Sequence, residues 1–371
     1  MWRRLKELIR TWDGTLLALT LLLCGVGLAE LYSSTLAQPE LTALFWRQLG
    51  SFVLGLAALL IGATVDYRIY RSWSRLTYLG AIVLLILVLL LGTTIRGTTG
   101  WFRFGSLSFQ PIELVKFMWV VVLASYLTHV GPPLDVRKTI GAVALLTPLM
   151  WLVLAQPDFG SGFLMLVGCG VLLAVVPKPR RWWLGAIGVL LVVATAFSFF
   201  LRDYQRDRLL TFINPRANPL GTGYNVTQSV VAVGAGGWWG RGLGLGTQSQ
   251  LKFLPEQHTD FIFASLAEEL GFVGSILVLG LWAGFLGRLL WLIRRLRDDF
   301  AVLLAVGFFS LFAVQAALNI GMNLGLVPVV GLTLPFVSYG GSSLVVSLAA
   351  VGVLQNLARH FGRQAPMENV L

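Results

Sequence analysis

The sequence predicts an all-α polytopic integral membrane protein. One domain over residues 1–371 would hold ten transmembrane helices, with both termini cytoplasmic and a large extracytoplasmic loop between helices seven and eight. Three observations predict this. The 371 residues are 56% hydrophobic and only 12% charged, against roughly 25% charged in soluble domains. Mean hydropathy is +0.78. Apolar runs of the roughly 20 residues needed to cross a bilayer recur from end to end.

In chain order the runs cover 14–37, 43–65, 74–95, 111–131, 138–157, 159–177, 181–201, 261–293, 300–322 and 337–358. The first follows Trp2-Arg3-Arg4-Leu5-Lys6 but lacks a small-residue cleavage site, so it reads as a retained span. Ten spans place the connections alternately on two sides. Arg68, Arg71 and Arg75, Arg137 and Lys138, Lys178, Arg180 and Arg181, Arg288, Arg294, Arg295 and Arg297 then share a side with both termini. Short basic loops mark the cytoplasmic side. The net charge of +11 therefore reads as a topology signal beside anionic membrane lipid. No continuous basic face for nucleic acid is apparent.

Three outward segments stand out: 96–110, 202–260 and 323–341. Non-helical backbone near membrane depth is tolerated only inside protein or along a wet cavity. The three together predict one outward-facing cavity roofed by loops. The 202–260 segment is long enough to carry function. Within it, Val226 to Val233 reads as a short apolar turn or interfacial helix. Gly240-Arg241-Gly242-Leu243-Gly244-Leu245-Gly246 follows no strand, so its glycines read as tight turns and not as a nucleotide loop.

Several residues are candidates for chemistry. Asp260 lies where the long loop runs into an apolar run, and ionised groups at that depth default to functional candidates. With a helix starting near Thr259, Asp260 falls in its first turn, where it either complements the dipole or acts chemically. Glu268 is then about 12 Å along the axis. One of Glu268 and Glu269 is expected to face a cavity, and the other to meet a basic group or a helix terminus. Glu113 and Lys116 are spaced i, i+3 behind Pro111, so they share a helix face. They read as a structural ion pair or as a cavity wall.

Arg103 suits phosphate as a fork, or the interface as an anchor. Asp158, in Gln156-Pro157-Asp158-Phe159-Gly160, reads as a turn residue that caps the next helix. Leu334-Pro335-Phe336-Val337-Ser338-Tyr339-Gly340-Gly341 is a helix start rich in hydroxyls, and Asn319 and Asn323 are polar at helical spacing. Arg206, Arg208 and Arg216 lie outside, where topology does not require them and a phosphate-bearing ligand would. Cys24 and Cys169 fall within spans and predict neither disulfide nor metal site. Gly-x-Ser-x-Gly and Walker-type loops are absent, which argues against serine hydrolases and ATP-driven pumps.

The segments GWFRFGSLSFQPIELVK, QPDFGSG, RDRLLTFINPRANPLGTGYNVTQS, GLGLGTQSQLKFLPEQHTDFIFASLAEELGFVG and NIGMNLGLVPVVGLTLPFVSYGGSS resemble, in order, the shape, elongation, division and sporulation (SEDS) family. These are polytopic glycosyltransferases of bacterial cell-wall synthesis. The wording around GTQSQLKFLPEQHTDF is closer to the elongation branch than to the division branch. One departure is Gln110-Pro111-Ile112-Glu113, where the family usually has Ser between Pro and Glu.

The resemblance implies that lipid II is polymerised at the outer face of the bacterial cytoplasmic (inner) membrane. It implies that Asp260 is the essential aspartate. For that reaction Asp260 is the candidate general base, Arg103, Lys116, Arg206, Arg208 and Arg216 are candidates to offset the pyrophosphate, and Glu113, Asp158, Glu268, Glu269 and Ser338 are candidates to support the cavity. It also implies a class B penicillin-binding protein as transpeptidase partner. Dependence on a divalent cation, Mg2+ or Mn2+, is implied with no ligands assigned. A lipid II flippase and a non-catalytic scaffold for that partner are the rival readings.

Overall fold

The computed structural model describes residues 12–37, 41–95, 97–105, 107–179, 182, 212, 222–251, 253–254 and 256–363. The expected span at 181–201 and Arg206, Arg208 and Arg216 lie outside the described residues, 182 aside.

Most of the described chain is helix. The helices are α1 (Gly14–Ala37), α2 (Thr42–Thr64), α3 (Tyr67–Ser72), α4 (Ser74–Leu91), α5 (Pro111–Val130), α6 (Val136–Ala155) and α7 (Phe159–Val175). They continue with α8 (Thr222–Ala235), α9 (Thr247–Gln250), α10 (Ile262–Ile293), α11 (Asp299–Asn323) and α12 (Gly341–Arg363). Eight of these are long and apolar enough to cross a membrane, and α7 is a shorter apolar helix. The protein is a polytopic, mostly helical membrane protein.

Helices α5, α11 and α12 form the middle of the bundle and bury most of their residues, whereas α2 and α4 bury few of theirs. Lipid is as apolar as leucine, so close packing decides which helices associate. Small residues permit it. A Cβ on Gly62 of α2 would stand 2.7 Å from the Ala349 carbonyl of α12, and one on Gly352 would strike the Leu59 carbonyl. The two backbones therefore touch along α2 and α12.

The all-α expectation needs correction. Residues in the expected 96–110 loop, with Thr93–Ile95 before it, form a small antiparallel sheet. Strand β1 (Thr93–Ile95) pairs with β2 (Thr98–Phe104), which pairs with β3 (Leu107–Phe109). Threonines and aromatics favour strands. Gly97 and Gly105, at φ +80° and +60°, take the left-handed backbone that reverses the chain. Residues 202–260 are likewise not all loop, because α8 and α9 lie within them. Helix α8 extends the short apolar segment expected at 226–233.

The sheet, the 156–160 turn, residues 236–251 and 256–260 and residues 324–340 gather at one end of the bundle. Asp13, Asp66, Arg288 and His360 lie at the other, where Arg288 Nε donates to both Asp13 oxygens at 3.0 and 2.8 Å.

Replacing Gly352 with Val overpacks the α2–α12 contact. We expect a loss of about 1–3 kcal/mol, seen as a lower thermal midpoint of the detergent-solubilised protein. An unchanged midpoint would show that the two helices do not meet there.

Candidate active site at the Asp260 turn

Asp260 sits just before α10, two residues short of Ile262. It is not in the first helical turn as expected. The Glu256 carbonyl accepts the backbone N–H groups of Thr259, Asp260 and Phe261 at 3.1, 3.1 and 3.2 Å. That closes a turn that leads into the helix. Glu256 itself has φ +55°, a conformation that costs a non-glycine residue free energy and clusters at functional sites.

Four long-range bonds hold the turn. Asn319 Nδ2 and Asn323 Nδ2, both on α11, donate to the Asp260 carbonyl at 3.0 and 2.9 Å. Ser338 Oγ donates to the Thr259 carbonyl at 2.6 Å. Tyr339 N donates to the His258 carbonyl at 2.7 Å. Both asparagines are fully buried. Asn319 Nδ2 also donates to the Leu332 carbonyl at 2.7 Å, and Asn323 Oδ1 accepts from Ala264 N at 2.9 Å. One pair of side chains thus ties together the Asp260 turn, the start of α10 and the 324–340 segment.

Gln48 of α2 extends this frame. Its Nε2 donates to the Ser338 carbonyl and its Oε1 accepts from Gly340 N, each at 3.1 Å. Below, Phe336 at φ +65° is over-determined by its ring contacts with Phe285, Phe312 and Trp282, at 5.3, 5.2 and 6.0 Å.

The Asp260 carboxylate faces the same segment, since Oδ2 would be 3.7 Å from a Cβ on Gly331. Gly160 at the start of α7 packs against the Val330 carbonyl and Leu332. The Asp158 turn and Asp260 therefore flank one stretch, Val330–Leu332. Asp158 caps α7 by accepting from Ser161 N at 3.0 Å. Burial raises its carboxyl above the usual range, opposed by the Ser161 bonds and by Lys116.

Lys116 Nζ donates to Glu113 Oε1 at 2.8 Å, and both side chains are buried. Gln110 N, preceding this helix, donates to Ser342 Oγ at 2.9 Å. Glu113, Lys116, Asp158, Ser338 and Asp260 are thus brought to one end and one neighbourhood. Arg103 is instead exposed on β2, opposite Ser108.

Glu268 and Glu269 are both buried. Glu268 Oε1 accepts from Gln248 N at 2.8 Å and Thr247 Oγ1 at 3.2 Å. Glu269 accepts from Ser33 Oγ at 2.5 Å and Gln250 Nε2 at 3.2 Å. They fasten the 247–250 segment and α1 to α10. Beside them Glu30, overlooked in the sequence, accepts from Ser265 Oγ. The signal for Glu30 and Gln48 was only a single polar residue within an apolar run.

Among the described residues, no group of three or more His, Cys, Asp or Glu side chains is arranged to hold a metal ion. The described residues therefore supply no closed cage for the expected divalent cation.

His258 is half-buried in the same turn, and burial lowers its pKa from 6.5 to about 4. Its imidazole is neutral at pH 7. The unfolded chain takes up this proton at higher pH than the folded chain. Its contribution to stability is therefore complete above pH 6.5 and is lost as pH falls towards 4. The thermal midpoint should drop across that window, and His258→Gln should flatten the drop. An identical slope in both proteins would exclude His258 as the cause.

Asn319→Leu and Asn323→Leu together leave the Asp260 carbonyl without these donors, costing about 1–3 kcal/mol. Amide exchange in residues 256–262 should quicken while that in the middle of α5 stays slow. Equal exchange in both proteins would refute the pinning.

The model of a family of cell cycle proteins, FtsW/RodA/SpoVE, matches residues 14–362. The chain is 37% identical over 355 residues to the peptidoglycan glycosyltransferase MrdB of Escherichia coli K12, covering 94% of this chain and 95% of that protein. A solved structure concerned with polymerization and crosslinking by a peptidoglycan synthase complex superposes with TM-score 0.82 and 32% identity, covering 94% of this chain and 98% of that one. The rod shape determining protein RodA of Thermus thermophilus superposes with TM-score 0.69 and 29% identity, covering 94% and 97%.

Proposed function

This chain belongs to the FtsW/RodA/SpoVE family of cell cycle proteins, and from that membership and the geometry at Asp260 we propose how it works. It is a peptidoglycan glycosyltransferase of cell elongation, resting on its likeness to MrdB and RodA. Our reading is that it polymerises lipid II into glycan strands with Asp260 as general base. The chain would cross the inner membrane ten times with both termini cytoplasmic, and the Asp260 end would face outward.

A sugar hydroxyl is a poor nucleophile at neutral pH. A positioned carboxylate takes its proton as the new bond forms, typically contributing about 10²–10⁴-fold. An α-linked donor becomes a β-linked glycan by one in-line displacement with inversion. That reaction needs one base and a stabilised leaving group, with no protein nucleophile. The observation that carries the assignment is the frame around Asp260: the main chain of the His258–Asp260 turn is fixed by two asparagines, a serine and a tyrosine amide from other elements, while the Asp260 carboxylate faces Gly331. A base held this firmly loses little entropy when it meets the acceptor.

The developing negative charge on pyrophosphate calls for cations. Lys116 lies in the same neighbourhood, already paired with Glu113. Arg103 on the hairpin, and Arg206, Arg208 and Arg216, are the further candidates. Mg2+ or Mn2+ would neutralise pyrophosphate, drawing its ligands largely from substrate and water. A class B penicillin-binding protein would crosslink the strands, a reading supported by the synthase-complex likeness. Asp158 and Ser338 would hold the loop geometry of the cavity.

Purified Asp260→Asn protein with lipid II, cation and the partner should lose polymerisation by at least about 10²-fold while keeping its thermal midpoint. Strands of normal length from a well-folded variant would remove Asp260 as the base.

A further inference from the structure

Residues 236–246 form a loop whose backbone is locked and whose outer side is apolar. Arg241 N donates to the Glu268 carbonyl and Gly242 N to that of Glu269, each at 3.0 Å. In return Phe272 N donates to the Gly237 carbonyl at 2.8 Å and Val273 N to that of Trp238 at 3.2 Å. Gly236 and Gly240 lie directly on the Ala267 and Glu269 carbonyls, and Gly244 lies on Ser33 and Leu36 of α1. This clamp surrounds the break in α10, where Gly271 takes φ +68°.

The loop presents Trp238 at 69% exposure and Trp239 at 82%, with Leu243 and Leu245 exposed beside them. Large aromatics so uncovered on a rigid loop mark a contact surface. The surface does not stop at the loop. Trp238 packs edge-on against Phe272 at 5.1 Å, and the exposed face then runs through Val273, Ile276 and Leu277 down α10.

Length fixes the level. The whole helix, Ile262–Ile293, would be roughly 48 Å long at 1.5 Å per residue, well beyond a hydrocarbon core of about 30 Å. Beyond the break, Phe272–Ile293 measures roughly 33 Å, which fits. The Ile262–Glu269 stretch before it is buried in protein. The break at Gly271, and the two tryptophans beside it, therefore fall at the edge of the hydrocarbon.

We propose that the Trp238–Trp239 loop is an interfacial membrane anchor, seated at the headgroup–acyl boundary of the leaflet on the Asp260 side. Its partner is the lipid surface. Indole rings prefer this boundary, with an apolar body and one polar N–H. Arg241 follows directly and is exposed; its Nε donates to the Ala235 carbonyl at 3.0 Å, and the rest of the guanidinium suits a lipid phosphate. Because the loop is clamped to α10, the anchor sets the height at which the Asp260 turn stands above the hydrocarbon. The inference rests on the membrane fold and is independent of the base assignment.

The test is depth measurement by spin label on the full chain in phospholipid nanodiscs. Nitroxides go on Trp239→Cys, on Leu277→Cys as lipid reference and on Arg297→Cys as water reference. Native Cys24 and Cys169 are buried, and mock-labelled unsubstituted protein controls for them. Oxygen accessibility relative to a water-soluble nickel chelate should be several-fold higher at 239 than at 297, approaching the value at 277. A ratio at 239 equal to that at 297 overturns the anchor. So does shielding from both agents, which would mean protein covers the loop. Leu245→Cys, 68% exposed, repeats the measurement should the first variant fold poorly.

Discussion

The Asp260 end of this bundle depends on two amide side chains pointing at one carbonyl. Leaving helical geometry at membrane depth strips backbone groups of their partners, and each unsatisfied group costs several kcal/mol. Asn319 and Asn323 stand one helical turn apart on α11, and both donate to the Asp260 carbonyl. An asparagine offers two donors and an acceptor, so the same pair also serves Leu332 and Ala264. An apolar residue at either position would leave part of the turn unsatisfied, and the turn carries the carboxylate assigned as base.

The acidic residues further along α10 are explained by the same need. Glu268 and Glu269 between them collect a backbone N–H, two hydroxyls and an amide. A carboxylate offers about four acceptor positions, so one side chain satisfies several donors of a segment lacking its own ladder. These glutamates therefore fix the 247–250 segment to α1 and α10. That fixation precedes the Asp260 turn in the chain and limits how far it can move.

What was legible in the sequence was local. Apolar runs marked a polytopic membrane protein and the eight described helices long enough to span a bilayer. The i, i+3 spacing gave the Glu113–Lys116 pair, and Asp158 could be read as a cap because a cap bonds only three residues ahead. What was not legible was long-range. Gln48 reaches Ser338 and Gly340 across nearly 300 positions, and Glu30 meets Ser265 across more than 200, so no spacing rule connects them. The hairpin escaped because its strands are short and punctuated by glycine. The start of α10 was displaced because Glu256 closes a separate turn over Thr259–Phe261, which shifts Asp260 outside the helix.

With its backbone committed to Glu256, Asn319 and Asn323, the Asp260 side chain is directed to Gly331. That glycine has φ +70° and no Cβ to occupy the space. A substituent there would be both strained and in the way of anything approaching Asp260. The glycine and the aspartate are thus two halves of one arrangement: one withdraws its side chain, and the other fills the opening with a carboxylate held still from behind.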